Sequence, residues 1–472
     1  MTRSPLPESQ LQDSRIRKQK RCGGVLFVVC GFAVAYSISA VLKHRHFESS
    51  YDLAIYDQAI WHLSRFEAPA SSIRGMSSVF GDHFHPVIAL LAPLFWIAPA
   101  AETLLLAQAV LLALSIVPVF LYARDRLPYG PALGISIAYG LFWGMQQTAT
   151  SDFHEAAFAP LAVALLLLAM ERKRWPWFWA AAVGVAAVKE DLAPFLTLLG
   201  GYLFVRGERR RGAILLVASL VIFFVIVGIV IPATSDAGQY GYRETYSEAL
   251  RNPWRLPLLL VTPPIKLLTA FLWVAPFAML PLASPLSLLL TPFALERFLS
   301  ASRNHWGTIF HYSAPLAPIV AMAATDGLAR IGLRIRDAHF RHRTIASFAA
   351  ACVLFASLLP GHQPLWRLFS AKLYQFGAME HASREALSLI PADASLVAQT
   401  CIAPHLSHRN ALFPLDTLAP DADYVVAVDE RSPWPVSSFE AIRGLLAERQ
   451  RHGYVVLFDR NGWVVLSRTR RP

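Results

Sequence analysis

Residues 51 to 86 read YDLAIYDQAIWHLSRFEAPASSIRGMSSVFGDHFHP, and the reading of this stretch decides the fold. It lies between two apolar runs yet holds Asp52, Asp57, Asp82, His83 and His85 among aromatic residues. The chain as a whole is 55% hydrophobic and only 16% charged, so ionisable groups gathered beside apolar runs need a physical reason. If the flanking runs cross a membrane, the stretch is a polar loop held at its surface. Within it Leu53, Ile55, Tyr56, Ile60 and Leu63 recur at helical spacing between Tyr51 and Phe66, with Asp52, Asp57 and His62 between them. The pattern predicts an amphipathic helix lying along the membrane surface. Asp52 and Asp57 are five residues apart, about 140° round a helix, so they need not share a face.

Outward from this loop the chain is apolar. Its mean hydropathy is +0.42, and runs of about 20 apolar residues, long enough to cross a hydrocarbon core, recur along most of its length. The fold class expected is an all-α polytopic membrane protein. A formal charge of +11 and a pI near 9.7 then reflect orientation by cytoplasmic Lys and Arg, not a nucleic-acid partner. Cys22, Cys30, Cys352 and Cys401 are scattered without a CxxC pair, which indicates neither a disulfide framework nor a zinc ribbon.

A basic tail (residues 1–22, with Arg15, Arg17, Lys18, Lys20 and Arg21) precedes the run from Gly23 to Leu42. Further apolar spans follow, so this run is read as a retained first helix with a cytoplasmic N-terminus, not a cleaved signal. Residues 43–86 then form the first outer loop. Val87 to Ile97 is too short to cross and suits a half-inserted helix. Spans are expected near 103–123, 130–149, 156–170, 176–192, 193–205, 212–232, 264–282, 285–299, 309–328 and 344–360, about eleven with the first, in a transmembrane domain of residues 23–360. Strict alternation puts the basic clusters at 124–126, 171–174, 206–211 and 330–343 all inside, as the positive-inside rule requires.

The same alternation places three other polar clusters at the outer ends of spans, beside the opening loop: Asp152-Phe153-His154-Glu155, Lys189-Glu190-Asp191, and the stretch from His305 to His311 and Tyr312. Burying such groups in lipid without partners costs several kcal/mol, so ionisable residues at membrane depth are functional candidates. Each cluster has an ordinary reading too. Acids at a helix start favour its N-terminus, a lysine beside two acids can snorkel to the interface, and His and Tyr are common there. Four clusters on one face outweigh those separate explanations. Asp82, His83 and His85 are also a candidate divalent-metal set, although two imidazoles and one acid form a modest ligand pattern.

From about Gly361 the apolar runs shorten. Residues 421–430 and 454–468 read as strands, the second with an Asp-Arg-Asn-Gly hairpin turn, and 437–451 as a helix capped by Ser. Residues 361–472 are therefore expected to form a small, soluble, extracytoplasmic α/β domain. No GxxxxGK[ST] loop, GxSxG elbow or HExxH helix occurs, which disfavours ATP-driven transport, serine hydrolysis and zinc proteolysis.

The segments YDLAIYDQAIW, GDHFHPVIALLAPLFWIAP, DFHEAAFAP, KEDL, HYSAPLAPIVAMAA and IPADASLVAQTCIAPHLSHR together resemble the bacterial and archaeal membrane family DUF2079, over roughly residues 25 to 470. The resemblance implies a GT-C-like fold and the reaction class of enzymes that use polyprenyl-phosphate-linked sugars; it does not imply a substrate. Where many GT-C enzymes carry a compact acidic motif in the first outer loop, the acids here are spread as Asp52, Asp57 and Asp82. The expectation is a plasma-membrane glycosyltransferase acting at the outer face on an acceptor the sequence does not identify. Asp52, Asp57 or Asp82 would serve as base, and His83, His85, Asp152, His154, Glu155, Lys189, Glu190, Asp191, His305, His311 and Tyr312 would surround the donor phosphate. The rival readings are a transporter or flippase-like carrier of an anionic or lipid-linked solute, and a non-catalytic membrane assembly protein.

Overall fold

The structure, a computed structural model, describes residues 8–429 and 431–469, with side chains from Gly23 onward. The basic side chains expected between Arg15 and Arg21, and Cys22, lie outside the described residues. A continuous helix, Glu8–Arg45, opens the chain. By length and composition three described helices can cross a membrane: Gly23–Arg45, Ala101–Arg124 and Arg209–Thr234. Pro253–Val261 and Ile265–Phe277 make a fourth if the pair, bent by 66°, is one span. The expected count of eleven does not emerge. Several other apolar segments form shorter helices; those at Ala159–Glu171, Ala193–Val205 and Thr291–Leu299 each follow a 3-10 turn and carry a proline at their second position. Pro86–Phe95 is short, as expected.

Helices here pack by small residues, since lipid supplies no hydrophobic drive between apolar surfaces. In the hairpin of Ala193–Val205 and Arg209–Val225, a Cβ on Gly200 would lie 2.6 Å from the Leu216 nitrogen, and one on Gly212 2.5 Å from that of Phe204. Only glycine lets these two backbones touch.

The stretch from Tyr51 forms a helix, Tyr51–Ser64, its start capped by the Ser50 hydroxyl. Most of its apolar side packs against protein. Leu53, Ala59 and Ile60 are wholly buried in the core of the helical bundle, whereas Tyr51 and Ala54 belong to a second core shared with the C-terminal unit. The loop helix is therefore packed on two sides, and its apolar residues are consumed by protein, not lipid.

The C-terminal unit carries a five-stranded sheet, in the order β2-β1-β3-β5-β4, with β1 Leu396–Ala398, β2 Leu412–Pro414, β3 Tyr424–Val428, β4 Tyr454–Arg460 and β5 Trp463–Arg468. β1 runs parallel to β2 and β3; β5 runs antiparallel to β3 and β4. Asn461 and Gly462 both take positive φ (52° and 81°) at the β4–β5 turn, which is why Asn-Gly closes it. Helix Phe439–Arg451 follows its Ser438 cap. The strands expected near 421–430 and 454–468 and the capped helix are all present; the short β1 and β2 were not anticipated.

A polar cavity where four motifs meet

The local backbone explains how the polar motifs reach one place. His154 and Lys189 each occupy an extended position (φ −139° and −168°) just before a 3-10 turn that leads into a proline-started helix. The chain therefore breaks where each motif sits, and its side chains project from the helix end instead of into lipid. The Val87 N–H donates to the Ala187 carbonyl at 3.1 Å, so the end of the first loop is tied directly to the break that carries Lys189.

The breaks surround a cavity of about 260 Å³. Of the fourteen residues expected at the site, twelve line it: Asp52, Asp82, His83, His85, His154, Glu155, Lys189, Glu190, Asp191, His305, His311 and Tyr312. Asp57 and Asp152 do not. Asp57, five residues after Asp52, turns toward the C-terminal unit, where it is 1% exposed, accepts a hydrogen bond from Ser407 and lies 2.9 Å from His408 Nε2. It is not placed to act as a base on anything in the cavity. Asp152 accepts from the Ser50 N–H at 2.6 Å and pairs with Lys43 at 3.2 Å, holding the end of the first helix to the start of the loop helix.

Inside the cavity the groups pair off. Asp52 is the open carboxylate, its side chain 57% exposed and 3.7 Å from His154 Nε2. His154 Nδ1 meets the Asp152 carbonyl at 2.9 Å, which turns Nε2 toward Asp52. Burial pushes the Asp52 carboxyl up, but the His154 ring and Arg74 outweigh it and hold its pKa below the ordinary 3.8. Burial likewise disfavours the charged His154 ring, yet Asp52 and Glu155 raise its pKa above 6.5. The other face of His154 stacks on His311, ring centroids 3.7 Å apart. Tyr56 donates to Glu155, which also lies 3.3 Å from Lys189; Lys189 is 3.4 Å from Asp191. Burial opposes ionisation of Glu155, but Lys189, His85 and His154 hold it well below its usual range. The lysine expected beside the donor phosphate is flanked by two carboxylates, one of them its sequence neighbour Asp191.

A second network closes the opposite wall. His83 Nδ1 lies 2.6 Å from Glu190, which also accepts from the Phe84 N–H at 3.0 Å. The His83 ring stacks on Tyr242 at 4.3 Å, and the Tyr242 hydroxyl donates to Asp82 at 3.0 Å. Asp82, His83 and His85 thus serve different partners, and among the described residues no group of three or more His, Cys, Asp or Glu is arranged around one metal position. Cys30, Cys352 and Cys401 are free.

Tyr56, Arg74, Tyr240, Tyr242, Tyr246 and Glu296 also line the cavity and were not singled out from sequence. The signal existed for the three later tyrosines: the span alternation puts residues 233–263 on the same side as the other clusters, and QYGYRETY (239–246) is the aromatic part of that loop. Glu296 lay hidden in a segment read as a plain span.

These features define a class: a membrane protein whose interrupted apolar helices gather polar groups at one end, beside a small sheet unit, in the manner of the GT-C fold. The chain belongs to the family described as "Predicted membrane protein (DUF2079)", which matches residues 43–465. Among solved structures it is similar to ArnT from Cupriavidus metallidurans bound to undecaprenyl phosphate, with a TM-score of 0.55, 14% identity, and coverage of 95% of this chain and 98% of that one. It also matches the apo oligosaccharyltransferase of Archaeoglobus fulgidus, with a TM-score of 0.46, 14% identity, and coverage of 94% and 74%. No curated protein matches by sequence.

Proposed function

We propose that this protein is a membrane glycosyltransferase that moves a sugar from a polyprenyl-phosphate donor to an acceptor at the outer face of the plasma membrane, with its N-terminus cytoplasmic and its sheet unit outside. The observation that carries the reading is one of adjacency. The polar cavity connects to an apolar groove of about 490 Å³ through Val188, which lines both the groove and a small recess that shares Glu155, Lys189 and Asp191 with the cavity; Arg172 and Arg174 also line the groove. A donor with a polar head and a long hydrocarbon tail needs those two environments side by side. The ArnT structure, which holds undecaprenyl phosphate in a similar fold, supports the same class of lipid.

In this reading Asp52 takes the proton of the acceptor hydroxyl. The hydroxyl oxygen then bonds to the anomeric carbon as the carbon–oxygen bond to phosphate breaks, and polyprenyl phosphate leaves with the electron pair. His154, protonated beside Asp52, and Lys189 at the groove end meet the charge that develops on the leaving phosphate. Asp52→Asn is expected to lower transfer about a hundredfold or more, and Lys189→Ala to abolish it, both at unchanged protein level in the membrane. Wild-type turnover in either variant removes that residue from the mechanism. Accumulation of one polyprenyl-phosphate sugar on deletion of the gene would identify the donor.

A further inference from the structure

The apolar helix Ala101–Arg124 carries a single side-chain amide, Gln108. It stands seven residues in from Ala101, about 10 Å along the axis at 1.5 Å of rise per residue. Its side chain is wholly buried, and the residues beside it on that helix face, Leu104, Leu105 and Leu112, are buried too. An amide taken out of water into apolar surroundings costs free energy unless its donors and acceptor are satisfied.

The partners of this amide lie on another segment, on both sides of a break in the chain. Gln108 Nε2 donates to the Thr148 carbonyl at 2.8 Å, and Oε1 accepts from the His154 N–H at 3.2 Å. The Ser151 and Asp152 carbonyls lie 3.4 and 3.5 Å from the same Nε2. Thr148 belongs to the helix Trp143–Thr150, and His154 immediately precedes the 3-10 turn Glu155–Phe158. The last carbonyls of a helix have no partner within it, and lipid offers none. Gln108 supplies a donor for one side of the break and an acceptor for the other. The opposite placing of its oxygen and nitrogen would set like groups against each other. Other buried hydroxyls in the bundle act within their own helices: Ser136, Thr148 and Thr325 donate to the carbonyls of Ala132, Gly144 and Ala321, four residues back.

The segment that Gln108 holds carries the imidazole that faces Asp52. The His154 N–H is fixed by Gln108, Nδ1 by the Asp152 carbonyl at 2.9 Å, and one ring face by His311, which leaves Nε2 directed at Asp52 across 3.7 Å. We infer that Gln108 is a positioning residue: from inside the bundle it fixes the peptide of His154 and so the direction in which Nε2 meets Asp52 and the cavity. It lines no part of the cavity itself. The inference rests on the sugar-transfer reading for what His154 does, but not for how His154 is held. An amide that served stability only would leave the behaviour of His154 untouched when removed.

The test uses the full chain in lipid nanodiscs with two variants. Gln108→Met keeps the length of the side chain and removes its hydrogen bonds; Gln108→Asn keeps the amide but is one methylene too short to span the break. The His154 ring is followed by NMR of 13C-labelled histidine, its signal assigned by its loss in His154→Gln. In Gln108→Met the His154 titration is expected to fall toward the ordinary 6.5 as the contact with Asp52 loosens. The kcat should drop about tenfold or more while the KM for a polyprenyl-phosphate sugar stays nearly unchanged, and Gln108→Asn should lie between this variant and the wild type. Wild-type kcat with an unmoved titration overturns the inference, whatever happens to the thermal midpoint. A lower kcat with the titration unmoved overturns it as well. If Gln108→Met does not reach the membrane, Gln108→Asn decides by the same two readouts. Should the wild type transfer no sugar from any polyprenyl-phosphate donor, the enzyme reading falls, and the titration by itself still decides whether Gln108 sets His154.

Discussion

Asp52 and His154 hold opposite charges across 3.7 Å, and their pKa values move apart: the acid falls below 3.8 and the imidazole rises above 6.5. The pair is therefore charged on both sides throughout that interval. As pH rises through the raised His154 value, the imidazole loses its proton and the leaving phosphate loses a donor. Transfer is expected to be flat across the interval and to decline above it, and His154→Gln should lower the rate and remove the alkaline limb. A pH–rate profile checks this; an unchanged limb in the variant assigns it to another group. Asp57 teaches the complementary lesson. It has the same side chain as Asp52 on the same helix, yet its partners are Ser407 and His408 in the distant C-terminal unit.

The elements that matter most are the breaks between helices and the groove between Ala159–Glu171 and Trp175–Ala186. Gly184 lines that groove, and a Cβ there would meet no atom within 4 Å. Gly184→Trp therefore starts from open space and extends into the volume assigned to the lipid tail. The KM for a long-chain polyprenyl donor is expected to rise about tenfold with kcat little changed, the pattern of lost uniform binding. Steady-state kinetics with long- and short-chain donors decide it: an unchanged KM for the long chain places the tail elsewhere. Although Lys189-Glu190-Asp191 reads as the end of the span 176–192, the helix starts at Asp152 to Glu155 and at the run before Pro86 were legible in sequence. That the starts are true breaks, with His154 and Lys189 in extended backbone, was not, since an apolar run reads alike whether it is one long helix or two short ones.

Across the molecule, the loop helix binds the sheet unit to the bundle. The Tyr51 hydroxyl donates to the Ala398 carbonyl at 2.7 Å and accepts from the Leu415 N–H at 3.1 Å, while Asp52 and Tyr56 on the same helix line the cavity. Tyr51→Phe removes both bonds while the Leu415 N–H still donates to the Ala398 carbonyl at 3.0 Å, and should destabilise the docked unit by about 1 kcal/mol. A lower thermal midpoint and faster proteolysis of residues 361–472 are the expected readouts; an unchanged protein would mean that the two units are not energetically coupled. Composition and hydropathy by themselves determined that this is a membrane protein with polar motifs gathered toward one side, because transfer from water to lipid acts on each segment separately. The β4–β5 hairpin and its Asn461-Gly462 turn were equally local. Tertiary structure alone decided which acid faces the cavity, since the rotation of the loop helix depends on a sheet more than 300 residues away in the chain (Asp57 meets Ser407 across 350 positions). It also decided that Lys189 meets Glu155 as well as its sequence neighbour Asp191, because electrostatic pairing depends on distance in space, and the 34 positions that separate Glu155 from Lys189 carry no record of it.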